Sequence, residues 1–166
     1  MATSNPQKTS EARKEVELLN VRTRTADQFM EGVTLLLNEH MLKYNWVGFY
    51  MLEPGANPPM LVLSHYQGAM TPHTRISLHQ GICGAAASSG KTVVVDDVSK
   101  DPRYLACSLE TKSEIVVPIF VHGKVAGELD IDSHFLAAFT SEDCELIEYC
   151  AELVGQRLTK EQSAAR

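Results

Sequence analysis

The chain has 166 residues, of which 44% are hydrophobic, and its formal net charge is −6 at pH 7. This length suffices for one packed domain and is too short for two domains without an obvious linker, which the sequence lacks. The negative charge and the absence of any run rich in lysine and arginine argue against nucleic acid and anionic membranes as partners.

The lack of a recognisable targeting segment and the spacing of the cysteines indicate the compartment. No apolar run approaches the ~20 residues of a membrane span, and residues 1–15 lack the apolar core of a signal peptide. We therefore expect a cytoplasmic protein, whose reducing surroundings disfavour structural disulfides. The cysteines Cys83, Cys107, Cys144 and Cys150 contain no CxxC pair. Any disulfide in this chain is expected to be catalytic rather than structural.

Two helices are predicted before the first strand. Residues 1–9 have no hydrophobic periodicity and are expected to be a disordered tail. The single domain is expected to span residues 10–160, followed by a flexible tail at 161–166. Residues 11–20 can form a helix, and residues 25–41 predict a clearer one, because its apolar side chains recur at helical spacing. This second helix would serve packing or dimerisation, and we expect a homodimer.

An antiparallel pair of strands is predicted next. Residues 45–52 are dense in aromatic and β-favouring side chains, and a loop rich in proline and glycine separates them from a second strand at 60–67. On the first strand Trp46, Gly48 and Tyr50 share one face. A glycine between two aromatic residues either leaves a shallow recess walled by rings or belongs to a core aromatic pair.

The middle of the chain is predicted to be less regular. The small residues of 81–90 favour a short helix closed by its final glycine, and their spacing fits no phosphate-binding loop. Cys83 lies in the first turn of this helix, where the helix dipole favours a thiolate. Residues 92–95 predict a short strand, and residues 96–109 predict a long polar connection that contains Cys107.

Residues 113–133 predict two strands joined by a tight turn. The first strand is apolar on both faces, as expected for a strand buried within a sheet, and a His-Gly pair then suits a two-residue turn. The return strand alternates, so Glu128, Asp130 and Asp132 project from one face, with the two aspartates about 7 Å apart. Like charges held in this way require a cation, unless the strand merely presents acidic residues to water.

A final helix is predicted to begin at Thr140 or Ser141, with Cys144 and Cys150 at positions typical of core packing. Strands joined mostly by hairpins, with helices at both chain ends, predict an α+β fold. In this fold an antiparallel sheet carries the terminal helices on one face and the connecting loops on the other. The acidic and aromatic side chains face these loops, so the predicted pocket lies between the loops and the sheet.

Four motifs resemble the GAF-domain reductases that act on free methionine-(R)-sulfoxide. They are NWVGFY at 45–50, GICG at 81–84, YLACSLETKSEIVVPI at 104–119 and LDIDS at 129–133. The resemblance extends over roughly residues 40–155 and implies a GAF/PAS-like version of the predicted fold. It also implies that free methionine-(R)-sulfoxide is reduced to methionine by thiol chemistry, with thioredoxin or a similar dithiol protein as reductant. No bound cofactor is implied, and the histidines show no metal-ligand spacing.

The resemblance also implies roles for individual residues. Cys107 matches the cysteine that attacks the sulfoxide, and Cys83 matches a second family cysteine that would resolve the intermediate. Trp46 and Tyr50 match aromatic positions that would pack against the S-methyl group. Three acidic residues would bind the substrate ammonium and hold a proton near the sulfoxide oxygen. They are Glu114, Asp130 and Asp132.

One position departs from the family pattern. His73 stands where the usual family members carry a further cysteine, and it either assists as a proton donor or fills the space. A sulfenic acid needs a second thiol and a reductant to return to the thiol. Cys83 could supply that thiol, an external thiol could do so, or the chain could have lost turnover and kept the pocket. The alternatives are therefore a GAF module that binds or senses a small molecule without catalysis, or a dimerising structural module.

Overall fold

A single antiparallel sheet supports the structure. A computed structural model describes residues 5–106 and 108–166. Within these ranges the helices are α1 (Pro6–Arg22), α2 (Ala26–His40), α3 (Gly81–Ser89) and α4 (Ser141–Ala164), with a short 3-10 turn at Val98–Lys100. The strands are β1 (Trp46–Leu52), β2 (Met60–Gln67), β3 (Arg75–Ser77), β4 (Val93–Val95), β5 (Ser113–Val121) and β6 (Lys124–Ser133).

The strand order is β3-β2-β1-β6-β5-β4, and every neighbouring pair is antiparallel. The predicted pairs β1–β2 and β5–β6 are both present, and β6 lies between β1 and β5 at the centre of the sheet. The first predicted strand and the last are therefore direct neighbours. The predicted α+β class is confirmed.

The hairpin between β5 and β6 has the predicted two-residue turn. His122 and Gly123 both have positive φ, at 51° and 74°. Two positive φ values at the central positions are typical of a type I′ turn, whose twist matches that of the strands. Pairing then continues from Val121 opposite Lys124 to Ser113 opposite Ser133.

Helices α1, α2 and α4 cover one face of the sheet, as predicted. Their apolar side chains recur at helical spacing and include the fully buried Phe29, Val33, Leu37, Ile147 and Val154. From β6, Leu129 and Ile131 join this core, whereas Asp130 between them points to the opposite face. Helix α3 covers that opposite face, where Ile82, Cys83 and Ala86 pack in a second core.

The chain ends are more helical than predicted. Helix α1 begins at Pro6 inside the segment 1–9 that was expected to be disordered, because Asn5 caps the helix through the amide of Gln7 at 3.1 Å. Thr9 is buried, and the polar residues around it in the sequence give no indication of this burial. Helix α4 likewise continues to Ala164, beyond the predicted domain end. No helix in the described ranges is both long and apolar enough to cross a membrane.

Candidate active site

The pocket face is built on the three central strands. Asp132 of β6 lies opposite Trp46 of β1 on one side and opposite Glu114 of β5 on the other. Two residues earlier, Asp130 lies opposite Gly48. Directly opposed residues of an antiparallel pair point to the same face of the sheet. The register therefore places the three predicted acidic residues and Trp46 on one face, under α3.

A stack of three aromatic rings borders this face. The rings of Trp46 and Tyr50 lie 6.2 Å apart at an interplanar angle of 28°, and Tyr66 of β2 lies 5.7 Å from Trp46. The indole lies over Gly48, because a Cβ at Gly48 would be 2.3 Å from the indole Cη2 atom. Of the two interpretations left open by the sequence, the structure therefore has the core aromatic pair, since Trp46 itself occupies the space above the glycine.

The polar atoms of the two aromatic residues hold the loop that follows β2. The Trp46 indole N–H donates to the carbonyl of Ala69 at 3.1 Å, and the Tyr50 hydroxyl donates to the carbonyl of His73 at 2.7 Å. The His73 ring donates from Nε2 to the carbonyl of Ala106 at 3.1 Å. His73 therefore joins this loop to the residue that precedes Cys107, and Cys107 itself lies outside the described residues.

Cys83 lies above the carboxyl groups on the first turn of α3. It is 5% exposed, and its Sγ donates to Asp130 Oδ2 at 3.4 Å. Helix α3 approaches β3 closely, since a Cβ at Gly84 would be 2.9 Å from the carbonyl oxygen of Ser77. Burial first, and then the charges of Asp130 and its acidic neighbours, raise the pKa of Cys83 well above its ordinary value. Burial and the neighbouring carboxyl groups therefore oppose the thiolate that the helix dipole was expected to favour.

The carboxyl groups of β6 are buried and incompletely paired. Glu128 is 0% exposed, and neither of its oxygens has a hydrogen-bond partner among the described residues; the same is true of Oδ1 in Asp130 and in Asp132. Burial raises the pKa of Glu128 well above its ordinary value, and that of Asp130 to about 6. Burial, and then the charge of Asp130, raise the pKa of Asp132 well above its ordinary value. Burial therefore favours the protonated forms of the carboxyl groups on this face.

Glu128 was on the predicted polar face but was given no role. It lies opposite Tyr50 in the β1 pairing and opposite Pro118 in the β5 pairing. Its position two residues before Asp130 in the same alternation was the available signal. The sequence did not distinguish a carboxyl that is sealed under α3 from one that faces water, because that difference depends on packing between distant segments.

A small cavity lies between several residues of the predicted site. It has a volume of about 10 Å³ and lies against Cys83, Glu114, Asp130 and Leu105. Such a volume accommodates about one water-sized sphere and no amino acid. Leu105 belongs to the segment that leads to Cys107, so an amino-acid ligand can enter only if this segment moves.

The three polar residues of this cavity could hold a metal ion. One ligand atom from each of Cys83, Glu114 and Asp130 lies within 4.8 Å of the other two, and all three residues are buried. The sequence-based expectation of no metal rested on ligand spacing along the chain. That spacing does not detect a cluster assembled from α3, β5 and β6.

The other two cysteines lie away from the pocket, on α4. Cys150 belongs to the core on the helical face of the sheet, and burial raises its pKa to about 12. Cys144 packs against the same core, and burial also raises its pKa. Both positions agree with the predicted packing role.

The chain is similar to known proteins along most of its length. The family model described as GAF domain matches residues 25–158. GAF domain-containing protein A from Dictyostelium discoideum is 40% identical over 114 residues, which are 69% of each chain. Free methionine-R-sulfoxide reductase from Saccharomyces cerevisiae is 41% identical over 113 residues, which are 68% of this chain and 62% of that protein.

A solved structure shares the whole architecture. Free methionine-R-sulfoxide reductase from Neisseria meningitidis, determined in complex with its substrate, is 32% identical and superposes with a TM-score of 0.88. The superposition covers 99% of this chain and 96% of that chain. The similarity therefore includes the central strands and the helix that together form the pocket face.

Proposed function

Because the chain belongs to the GAF domain family, and within it to the group that includes free methionine-R-sulfoxide reductases, we propose that it reduces free methionine-(R)-sulfoxide to methionine. The observation that carries this proposal is the placement of the Cys83 thiol 3.4 Å from Asp130, over a face of buried acidic residues. Carboxyl groups beside this thiol provide proton donors for removal of a sulfoxide oxygen, and the thiol itself can condense with the sulfenic acid that such a reduction leaves.

The acidic residues explain why the substrate would be a free amino acid. Glu114, Asp130 and Asp132 are 6%, 2% and 4% exposed, and buried carboxylates need a cation or a proton. The ammonium group of a free amino acid supplies a cation that can donate hydrogen bonds to several carboxylates. A methionine sulfoxide within a peptide has an amide in that position and offers no charge. We therefore propose these three residues as the ammonium site.

The proposed reaction has two thiol steps. Cys107 attacks the sulfoxide sulfur, and the oxygen is transferred to Cys107 with a proton from the acidic face, giving methionine and a sulfenic acid. Methionine sulfoxide gains two electrons, and Cys107 loses two. Cys83 then attacks the sulfenic sulfur, water leaves, and a Cys83–Cys107 disulfide forms. Asp130 accepts the hydrogen bond of the Cys83 thiol and is placed to take its proton.

An external dithiol would complete the cycle. We propose thioredoxin or a similar dithiol protein in the cytoplasm, which reduces the disulfide in two exchange steps and returns both cysteines to thiols. We also propose that the protein acts as a homodimer, with no bound cofactor. Trp46 and Tyr50 would support the S-methyl side of the pocket through the ring stack.

One observation favours a second candidate function. The cavity at the acidic face has only about 10 Å³, which is too small for the proposed substrate. The resemblance to the reductases also implies a cysteine at the position that His73 occupies. A GAF module that binds a small molecule without turnover would also retain the buried acidic face. Formation of methionine in a single turnover separates the two candidates.

The test is methionine formation from the separate sulfoxide epimers. We expect NADPH consumption with thioredoxin, thioredoxin reductase and free methionine-(R)-sulfoxide, and little with the S epimer or with a peptide substrate. Cys107→Ser should abolish activity, whereas the matched variant Cys144→Ser should keep it. A protein that forms no methionine even in one turnover would be a binding module, and equal rates on free and peptide substrates would exclude the ammonium site.

A further inference from the structure

We propose that Cys83, Glu114 and Asp130 form a zinc-binding site, and that zinc and the substrate ammonium exclude each other there. The exclusion rests on the proposed function, whereas the metal site itself does not. The three residues come from α3, β5 and β6, so each ligand is held by a regular element. Zinc bound at this site would withdraw Cys83 from thiol chemistry.

The separations of the ligand atoms fit a single small ion. Two ligands on a tetrahedral zinc ion lie about 3.5 Å apart for sulfur and oxygen, as follows from metal–ligand distances near 2.3 and 2.0 Å. Cys83 Sγ and Asp130 Oδ2 are already 3.4 Å apart. The ligand atoms of all three residues lie within 4.8 Å of one another. A displacement of about 1 Å in the side chains would therefore bring all three ligand atoms to the separations expected around one zinc ion.

Buried carboxyl oxygens provide an independent indication of a cation. Asp130 Oδ1 and both oxygens of Glu128 are buried and have no hydrogen-bond partner in the described part of the chain. Glu128 lies close enough to Cys83 for its charge to act on that thiol. Buried polar groups without partners are costly, and a cation among them removes much of that cost. Glu128 is thus available as a fourth ligand or as a partner of the ligands.

The size of the cavity favours an ion. The cavity of about 10 Å³ is bordered by all three proposed ligands. A single ion fits this space without displacement of Leu105, whereas methionine sulfoxide requires that the segment around Leu105 moves away. The observed conformation therefore has room for a metal ion and none for the amino acid.

The ligand types favour zinc over calcium and magnesium. Calcium and magnesium take six or more oxygen ligands, which this site does not offer. One thiolate and two carboxylates suit a four-coordinate zinc ion whose remaining position is filled by water or by Glu128. Binding replaces the S–H bond of Cys83 by a sulfur–zinc bond and releases the proton to solvent, with any carboxyl proton of the ligands. No electrons are transferred.

The metal site is tested with Co²⁺ alone, added to the reduced full-length protein. Cobalt shows thiolate ligation as an absorption band, whereas zinc has a filled d shell and gives none. We expect a band that saturates at one equivalent and is lost when Zn²⁺ is added. Cys144→Ser and Cys107→Ser should keep the band, and Cys83→Ser should lose it. A parent protein without the band, or a Cys83→Ser protein that keeps it, would overturn the site.

Asp130→Asn provides a second test of the site that does not depend on the folding of Cys83→Ser. Asp130→Asn keeps the side-chain shape and removes a charged ligand, so cobalt affinity should fall at least about tenfold while the band remains. Far-ultraviolet circular dichroism verifies that each variant is folded. An Asp130→Asn protein that binds cobalt as tightly as the parent would also contradict the site.

Competition between ligands tests the exclusion. Rising concentrations of free methionine sulfoxide should weaken cobalt binding to the Cys107→Ser protein, which cannot turn over its substrate. Unchanged cobalt affinity at saturating methionine sulfoxide would overturn the exclusion. The cobalt band does not depend on turnover, so it tests the metal site alone. A protein that forms no methionine would contradict the proposed function and leave the test of the metal site unaffected.

Discussion

Single carboxyl groups determine where protons are held in the pocket. Burial raises the pKa of Asp130 to about 6 and the pKa values of Asp132 and Glu128 well above their ordinary range. With a pKa of about 6 Asp130 is mostly ionised at neutral pH, whereas burial shifts Asp132 and Glu128 further towards their protonated forms than an exposed carboxyl. An ionised acid can accept a hydrogen bond from Cys83, and a neutral acid can give a proton to a sulfoxide oxygen. The two states serve different halves of the proposed reaction.

Glu128→Gln should stabilise the fold at alkaline pH. A carboxyl whose folded pKa is raised binds more protons in the folded state, so its contribution to stability is greatest at low pH and is lost as pH rises. Glutamine keeps the shape and removes this loss. We expect the free energy of unfolding in urea to rise by about 1–3 kcal/mol at pH 8, and by less at pH 5. Glu39→Gln, on the exposed side of α2, should change it little at either pH. A destabilised Glu128→Gln protein at pH 8 would mean that Glu128 is paired and ionised.

Asp130→Asn and Asp132→Asn should each reduce turnover. Each change removes one charge-assisted hydrogen bond to the ammonium, which contributes about 1.5–3 kcal/mol, or more than about tenfold in kcat/KM. The measurement is steady-state kinetics on free methionine-(R)-sulfoxide, with Glu39→Gln as the control. Full activity in both variants would place the ammonium site elsewhere.

Cys83 is held as a thiol by its surroundings rather than by its position in the helix. A charge at a helix terminus gains about 0.3–1 kcal/mol from the dipole, whereas a buried charge without a partner costs several kcal/mol. Cys83 is 5% exposed and faces Asp130. Its reactivity is therefore expected to depend on removal of its proton after Cys107 has been oxidised.

Among the elements, β1 and β2 position the aromatic stack. Trp46 crosses above Gly48, and its indole N–H and ring faces are fixed by Ala69, Tyr50 and Tyr66. The glycine is required because any side chain at that point would occupy the space of the indole. The ring stack therefore depends on glycine, which has no Cβ atom, at position 48.

Gly48→Ala should displace the indole. The added Cβ would lie 2.3 Å from the Trp46 ring, so overpacking should lower the free energy of unfolding by about 1–3 kcal/mol. Trp46 is the single tryptophan, so its fluorescence reports the change directly, and its emission should shift to longer wavelength. Gly55→Ala, whose added Cβ meets no atom within 4 Å, should leave the emission unchanged. An unshifted emission in Gly48→Ala would show that the indole can move without exposure.

Local pattern predicted the elements better than their assembly. The alternation along β6 correctly placed Asp130 and Asp132 on one face, and the small residues from Gly81 correctly predicted α3. The strand order, which sets Trp46 opposite Asp132, depends on contacts between distant segments and has no local signal. The burial of Glu128 and the link from His73 to Ala106 depend on the same contacts and could not be predicted.

At the scale of the whole molecule, two loops close the pocket face. The loop after β2 is tied to the sheet by Tyr50, and His73 ties it in turn to Ala106 in the segment that leads to Cys107. The cavity beneath Leu105 is too small for an amino acid. Binding of an amino acid at this cavity would therefore require that the segment around Leu105 moves.

His73→Ala should loosen the segment around Ala106. Loss of one hydrogen bond of about 1 kcal/mol should increase amide hydrogen exchange in residues 103–109 several-fold. His79→Ala, an exposed histidine of the next turn, should leave this exchange unchanged. A His73→Gln protein can donate to the same carbonyl and should restore part of the protection. Equal exchange in His73→Ala and the parent would mean that other contacts hold the segment closed.

Disulfide mapping tests the proposed role of Cys83 in resolving the intermediate. If Cys83 resolves the intermediate, one equivalent of substrate should give a Cys83–Cys107 disulfide by peptide mapping, which requires that their Cα atoms approach within about 7 Å. Cys83→Ser should then complete a first turnover and stall with thioredoxin, because no disulfide forms for thioredoxin to reduce. A small thiol that attacks the sulfenic acid directly should rescue it, and Cys150→Ser should cycle normally. Sustained thioredoxin-driven cycling in Cys83→Ser would show that Cys107 is regenerated without Cys83, and the buried thiol beside Asp130 would then have another role.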